Sequence, residues 1–128
     1  MAGTFTYNKD EKLKSRKLLQ QLFATAKSFS VFPVKVFYMP LDVSLKKSVQ
    51  AGVGVSARNF RKAVDRNRIK RLLRECYRLN KGLLHDAVND KQKPVAVFFL
   101  YLGKELPEYA LLDEKMKLAL TKLAANIA

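Results

Sequence analysis

Lys62, Arg66, Lys70, Arg74 and Arg78 follow one another at intervals of four, the spacing that stacks side chains along one side of an α-helix. They belong to a stretch from Arg58 to Arg78 that holds nine cations (Arg58, Arg61, Lys62, Arg66, Arg68, Lys70, Arg71, Arg74, Arg78) and two anions, Asp65 and Glu75. Seven of the nine are arginine, whose planar guanidinium forks onto phosphate oxygens and stacks on bases. Each like-charge step costs an isolated helix about 0.2–0.5 kcal/mol, and a helix selected only for solvation intersperses acids. The chemistry these residues offer is recognition of a polyanion. A nuclear-localisation or membrane-surface reading is weaker, because the apolar positions of the same helix are needed for a core and leave no lipid-facing stripe. The arginine bias suits unpaired or folded RNA, but composition alone leaves RNA and DNA both open.

Little else in the chain has the makings of a reaction centre. One cysteine and one histidine are too few for a disulfide framework or a Cys/His zinc site. Cys76 falls on the apolar side of the basic helix and reads as an inert core thiol, and His85 reads as a surface residue. The carboxylates at Asp10/Glu11, Asp86/Asp90, Glu105/Glu108 and Asp113/Glu114 show no acid/base pairing or metal cage, so no catalytic and no metal-ligating residue is assigned. The string GVGVSA, Gly52 to Ala57, fits G-x-G-x-x-A by letter only. A dinucleotide site needs its glycines at a strand-to-helix turn, whereas Val53 and Val55 continue a strand pattern.

The elements that must position the cations can be read from periodicity. A chain of 128 residues with 48% hydrophobic content fits one domain, assigned to residues 12–128, after a polar, aperiodic segment 1–11 expected to be mobile. Its net charge of +14 repels itself in the folded state unless a polyanion offsets it. The start of the chain lacks an apolar signal-like run, and Val95 to Leu102 is far short of the roughly 20 residues that span a bilayer. A cytoplasmic protein is the expectation.

Ser15 starts a helix with Leu18, Leu19, Leu22, Phe23 and Ala26 on one face. VKVFYM alternates Val34, Val36 and Tyr38 against Lys35, Phe37 and Met39, a strand that sets a cation and a ring on one face, with a short strand before it. VQAGVGVS is a further strand. Asn59 to Asn80 has no Gly or Pro and reads as the longest helix, stopped by Gly82, with Ile69, Leu72, Leu73, Cys76 and Leu79 as its apolar arc and Lys62 pointing into it. PVAVFFLYL is a strand deep in the sheet or covered on both faces. Leu112, Met116, Ala119, Leu120, Leu123 and Ile127 mark a last amphipathic helix after Pro107. The fold class is α+β, in the order α-β-β-β-α-β-α, with helices packed on a small mixed sheet.

The stretch ARNFRKAVDRNRIKRLLRECYRLNK resembles the protein subunit of bacterial ribonuclease P, whose hallmark is an RNR-x-KR-xx-R-E helix after a strand and a basic turn. Arg66, Asn67, Arg68, Ile69, Lys70, Arg71, Arg74 and Glu75 match it. The resemblance extends over nearly the whole chain beyond the first dozen residues. It implies a left-handed β-α-β crossover, against the usual right-handed preference, in a fold shared with a ribosomal protein domain. It also implies a role as the non-catalytic protein component of an endoribonuclease that removes 5′ leaders from precursor tRNA. In that assembly the chemistry is carried by the RNA subunit, RNA phosphates hold the Mg²⁺, and the protein binds no cofactor and is monomeric without RNA.

Carried over by position, the RNA-subunit contacts are Arg58, Arg61, Lys62, Arg66, Asn67, Arg68, Lys70, Arg71 and Arg74. The leader contacts are Leu19, Phe23, Lys35, Phe37, Lys70 and Arg74, a ring-and-cation set suited to unpaired nucleotides. The chain departs from the family where Leu19 replaces Phe, Ala26 replaces Gly, Phe37 replaces Tyr, and Ala57 with Arg58 replaces two basic residues. A register shift of one would put Tyr38 in the cleft in place of Phe37. Competing classes are a structural RNA binder of ribosomal type and a metal-dependent nuclease acting alone.

Overall fold

Three alternating apolar segments and one nearly continuous one become neighbours in a single sheet. The computed structural model describes residues 20, 22–24, 27–40, 49–56, 58–84 and 95–127. Its elements are β1 (Lys27–Val31), β2 (Val34–Pro40), β3 (Val49–Val55), α1 (Ala63–Asn80), β4 (Val95–Tyr101) and α2 (Tyr109–Ile127). Residue 20 and residues 22–24 are also helical, which keeps the C-terminal part of the helix expected from Ser15. The rest of that helix, with Leu19 and Ala26, lies outside the described residues, as do segment 1–11, Ala57 and His85.

The strand order is β1-β2-β4-β3. The β1–β2 hairpin is antiparallel and turns at Phe32-Pro33, a cis peptide. β2 pairs antiparallel with β4, and β3 pairs parallel with β4. Parallel neighbours require a crossover, and here α1 lies within it, giving the β-α-β unit that the resemblance implies. The nearly continuous apolar strand is central, flanked on both edges.

Register sorts the strands into two faces. Val36 pairs with Phe99 and Val34 with Tyr101, while Ala51 pairs with Val97 and Val49 with Val95. All eight are buried against Ile69, Leu73, Cys76 and Tyr77 of α1 and Leu112, Met116, Ala119, Leu120 and Leu123 of α2. Each fully buried aliphatic side chain of this kind contributes about 1.5–3 kcal/mol. The opposite face carries Lys35, Phe37, Met39, Ala96, Phe98 and Leu100, and its cover among the described residues is the helical stretch bearing Leu22 and Phe23. β4 is therefore well covered on one face and only partly on the other.

α1 corrects three readings of the sequence. It begins at Ala63, four residues later than Asn59, because residues 58–59 form a turn in which the amides of Asn59 and Phe60 both donate to the Ser56 carbonyl. Lys62 is the N-cap with extended backbone, so it leaves the helical wheel before it can point into the core and is exposed. Leu79 is 39% exposed, since it sits about 100° from the axis of the buried face. Asn80 occupies the core-facing position there instead, its Nδ2 donating to the Cys76 carbonyl at 2.8 Å and to Asp113 Oδ1 at 2.7 Å. Asn80 thus ends the helix and ties it to α2, ahead of Gly82. Tyr77, absent from the expected arc, is fully buried with its ring 5.6 Å from that of Phe99.

Candidate nucleic-acid interface

The basic surface is built in two parts, a turn and a helix. In the turn, Phe60 is the anchor: its ring is 7% exposed and lies 6.0 Å from the Tyr101 ring at the end of β4. Burying that ring fixes the backbone between flanking side chains that point outward, so Arg58, Arg61 and Lys62 are exposed. Asn59 Nδ2 donates across to the carbonyls of Leu102 and Gly103 at 3.2 and 3.4 Å. Sequence reasoning passed over both residues, because nothing in their local spacing shows which strand end they meet.

On α1, Asn67, Arg68, Arg71 and Arg74 are exposed, and Arg66 and Lys70 half-buried. The core stripe through Ile69, Leu73 and Cys76 directs this array away from the sheet. Asp65 in the first turn and Arg78 in the last complement the helix dipole.

Two arginines of the stretch are engaged within the protein. Arg66 Nη1 donates to the carbonyls of Phe60 and Arg61, both at 2.8 Å, so its guanidinium is aimed by the turn that it also braces. Arg78 forks onto Glu75 through Nε and Nη2. That hydrogen bond, with the positive field of Arg78 and Arg71, holds the Glu75 carboxyl below its ordinary value despite some desolvation. Arg78 is correspondingly raised, chiefly by the same hydrogen bond. Burial, reinforced by Asp113 and Glu75, pushes the Cys76 thiol up to about 12, which suppresses thiolate chemistry there.

Of the ring-and-cation set, Phe23, Lys35 and Phe37 meet at the open sheet face. Phe23 is 50% exposed, and its ring meets Phe37 at 5.2 Å and Phe98 at 5.1 Å, both edge-on. Lys35 Nζ stands 5.1 Å from the centre of the Phe37 ring. The register assigns Phe37 to this face, while Tyr38 points the other way and packs on Phe29 at 5.9 Å. Phe98, which the sequence did not single out, is the floor beneath Phe23. A Cβ at Gly54 on β3 would stand 2.6 Å from the Phe98 ring, so the glycine of the false dinucleotide string serves close packing inside a strand.

Lys70 and Arg74 are not in contact with these rings. They belong to α1, which reaches the sheet at β3, and β3 and β2 flank β4 on opposite sides, roughly 10 Å apart at one strand spacing each. The arrangement offers half-open rings with a lysine on one face of the sheet and an exposed cationic array on the helix packed against the other face. Among the described residues, no group of three or more His, Cys, Asp or Glu side chains is placed to hold a metal ion, and no helix is long and apolar enough to cross a membrane.

Comparison with known proteins gives a family from sequence and a matching fold from shape. Residues 7–123 match the Ribonuclease P family model. The chain is 36% identical to the ribonuclease P protein component of Porphyromonas gingivalis over 125 residues, covering 98% of this chain and 91% of that protein. It is 32% identical to that of Chlorobium phaeobacteroides over 118 residues, with 84% and 81% covered. In fold it is similar to the RNase P protein of Staphylococcus aureus, at TM-score 0.69 and 16% identity over 92% of this chain and 98% of that one. It is equally similar to the RNase P protein of Thermotoga maritima, at TM-score 0.69 and 23% identity over 88% and 96%.

Proposed function

Because this chain belongs to the ribonuclease P protein family, we propose that it binds the catalytic RNA of ribonuclease P through its basic turn and helix, and the 5′ leader of precursor tRNA through its open sheet face. Its role is in an endoribonuclease that matures tRNA 5′ ends, which displaces the ribosomal-type reading and that of a nuclease acting alone. Arg58, Arg61, Lys62, Arg66, Asn67, Arg68, Lys70, Arg71 and Arg74 are the RNA-subunit contacts. Phe23, Lys35 and Phe37 take the leader, with Lys70 and Arg74 where it passes toward α1. Leu19 completes the leader set by position in the sequence.

The observation that carries the reading is that one small fold presents both an exposed arginine array on α1 and, on the sheet face that α1 does not cover, a half-open aromatic floor with its own lysine. Stacking serves unpaired bases and the cations serve phosphate, so the surface favours a substrate with a single-stranded extension over one without it. That difference raises precursor affinity without raising product affinity. The protein contributes no catalytic residue. Mg²⁺ is held by RNA phosphates in the assembled enzyme, and the protein is cytoplasmic and monomeric until it meets RNA, whose charge offsets its +14.

The test is cleavage of a precursor tRNA at low Mg²⁺ by a bacterial ribonuclease P RNA, with and without this protein. Cleavage at the leader junction only when both are present is the expected result. RNA binding without stimulated cleavage would overturn the leader role, and cleavage by protein alone would reassign the chemistry.

A further inference from the structure

The turn that carries Arg58, Arg61 and Lys62 is fixed at more points than a surface turn needs. Its backbone closes on the Ser56 carbonyl through two amides, Asn59 at 3.2 Å and Phe60 at 3.3 Å. Below, the Phe60 ring is seated against Tyr101, whose hydroxyl donates to the Glu105 carbonyl at 2.7 Å. Gly103 is the residue that fits beside that ring, since a Cβ there would run into the Tyr101 hydroxyl. Ahead, Arg66 reaches back from α1 to two turn carbonyls. From the side, Asn59 spans to the backbone just past β4. Among the described residues, Asn59 is the one whose side chain joins the turn by hydrogen bonds to the backbone just past β4, and it carries no charge of its own.

We infer that Asn59 is a positioning residue for RNA binding: by holding the basic turn on the carbonyls of Leu102 and Gly103, it presets the places of Arg58, Arg61 and Lys62 without touching RNA itself. This role rests on the RNA-binding reading above and on the cost of ordering. Long cationic side chains already lose rotamer freedom when they meet phosphate. A turn free to move would add its backbone entropy to that loss, whereas one fixed beforehand leaves only the side chains to order.

The inference separates from a general stabilising role through coupling. If Asn59 acts through the three cations, its removal should matter only while they are present. The experiment is a binding cycle with ribonuclease P RNA at fixed salt, comparing the parent, Asn59→Ala, the triple variant Arg58→Ala/Arg61→Ala/Lys62→Ala, and the combination of all four. Asn59→Ala is expected to bind about fivefold more weakly than the parent, the scale of one well-placed hydrogen bond. In the stripped turn the same substitution is expected to change affinity by less than about twofold.

Amide exchange in the free protein gives a second readout. The Phe60 N–H should exchange faster in Asn59→Ala, while amides in the middle of β4 keep their protection. If Asn59→Ala does not fold, Asn59→Ser is used in the same cycle, its hydroxyl being one bond too short to serve both carbonyls. An equal loss in both backgrounds would overturn the inference by making Asn59 a direct contact or a general stabiliser, and so would unchanged binding in the parent background. Failure of the parent itself to bind the RNA would remove the functional reading and this inference together.

Discussion

The two faces of the sheet are made by alternate residues of the same strands, yet one is closed and the other half-open. On the closed face, Val36, Val97 and Phe99 lie under α1 and α2 with no exposure. On the open face, Phe37 and Phe98 are half-buried beneath a Phe23 ring that is itself half in solvent. Phe98 and Phe99 are consecutive, so neither composition nor strand propensity distinguishes them. What differs among the described residues is the cover: two long helices on one side, and on the other the helical residues Leu22 and Phe23. An aromatic residue under a helix contributes to folding, and one left at the surface beside Lys35 keeps a face free for a base.

Substitutions on the two faces should therefore fail differently. Phe99→Ala, on the closed face, is expected to lose about 3–5 kcal/mol of stability through the cavity it leaves, measured by urea unfolding. A loss below about 1 kcal/mol would mean that this face repacks freely and would erase the contrast. Phe37→Ala, on the open face, should cost less stability and should weaken precursor-tRNA binding by about 1–3 kcal/mol, the worth of a stacked base, with mature-tRNA binding unchanged. If both substrates weaken together, Phe37 belongs to folding and the open face is not a leader platform.

The smallest effect concerns the pair at the edge of the closed face. Glu75 is held below its ordinary 4.5 by Arg78, so its contribution is present at neutral pH and is lost as pH falls through the depressed folded value. The parent is expected to lose stability more steeply than Glu75→Gln on acidification below about pH 4.5. Parallel stability curves for the two proteins from pH 7 to pH 3 would show that the pair contributes nothing, as exposed pairs often do.

Much of the site was legible in the chain because its signals are local. The i, i+4 cations from Arg66 to Arg78 and the 2-residue alternation of Lys35 and Phe37 follow from helix and strand geometry alone and lie on the expected sides of α1 and β2. Lys62, expected to point into the apolar arc, is instead the exposed N-cap. The helix start was misread because Asn59 to Lys62 contains no helix breaker; a buried Phe60 and a side-chain bond to a strand end 43 residues away turn the backbone there. Leu79 was misassigned for a related reason. Hydrophobicity alone favours Leu79 as the buried residue, but the partner offered by α2 is Asp113, which an asparagine can reach.

The order of residues by itself determined that the protein carries a cationic helix with one apolar stripe, strands with two chemically distinct faces, and a charge that calls for a polyanion. These are consequences of backbone periodicity acting on side-chain type. Only the tertiary structure decided which cations are free to meet a partner and which, like Arg66 and Arg78, are first used within the protein. It alone brought Phe23, Phe37 and Phe98 together, and it alone set Asn59 against the end of β4. Contacts between distant segments depend on how helices and sheet pack around a common core, and no local spacing in the chain encodes that arrangement.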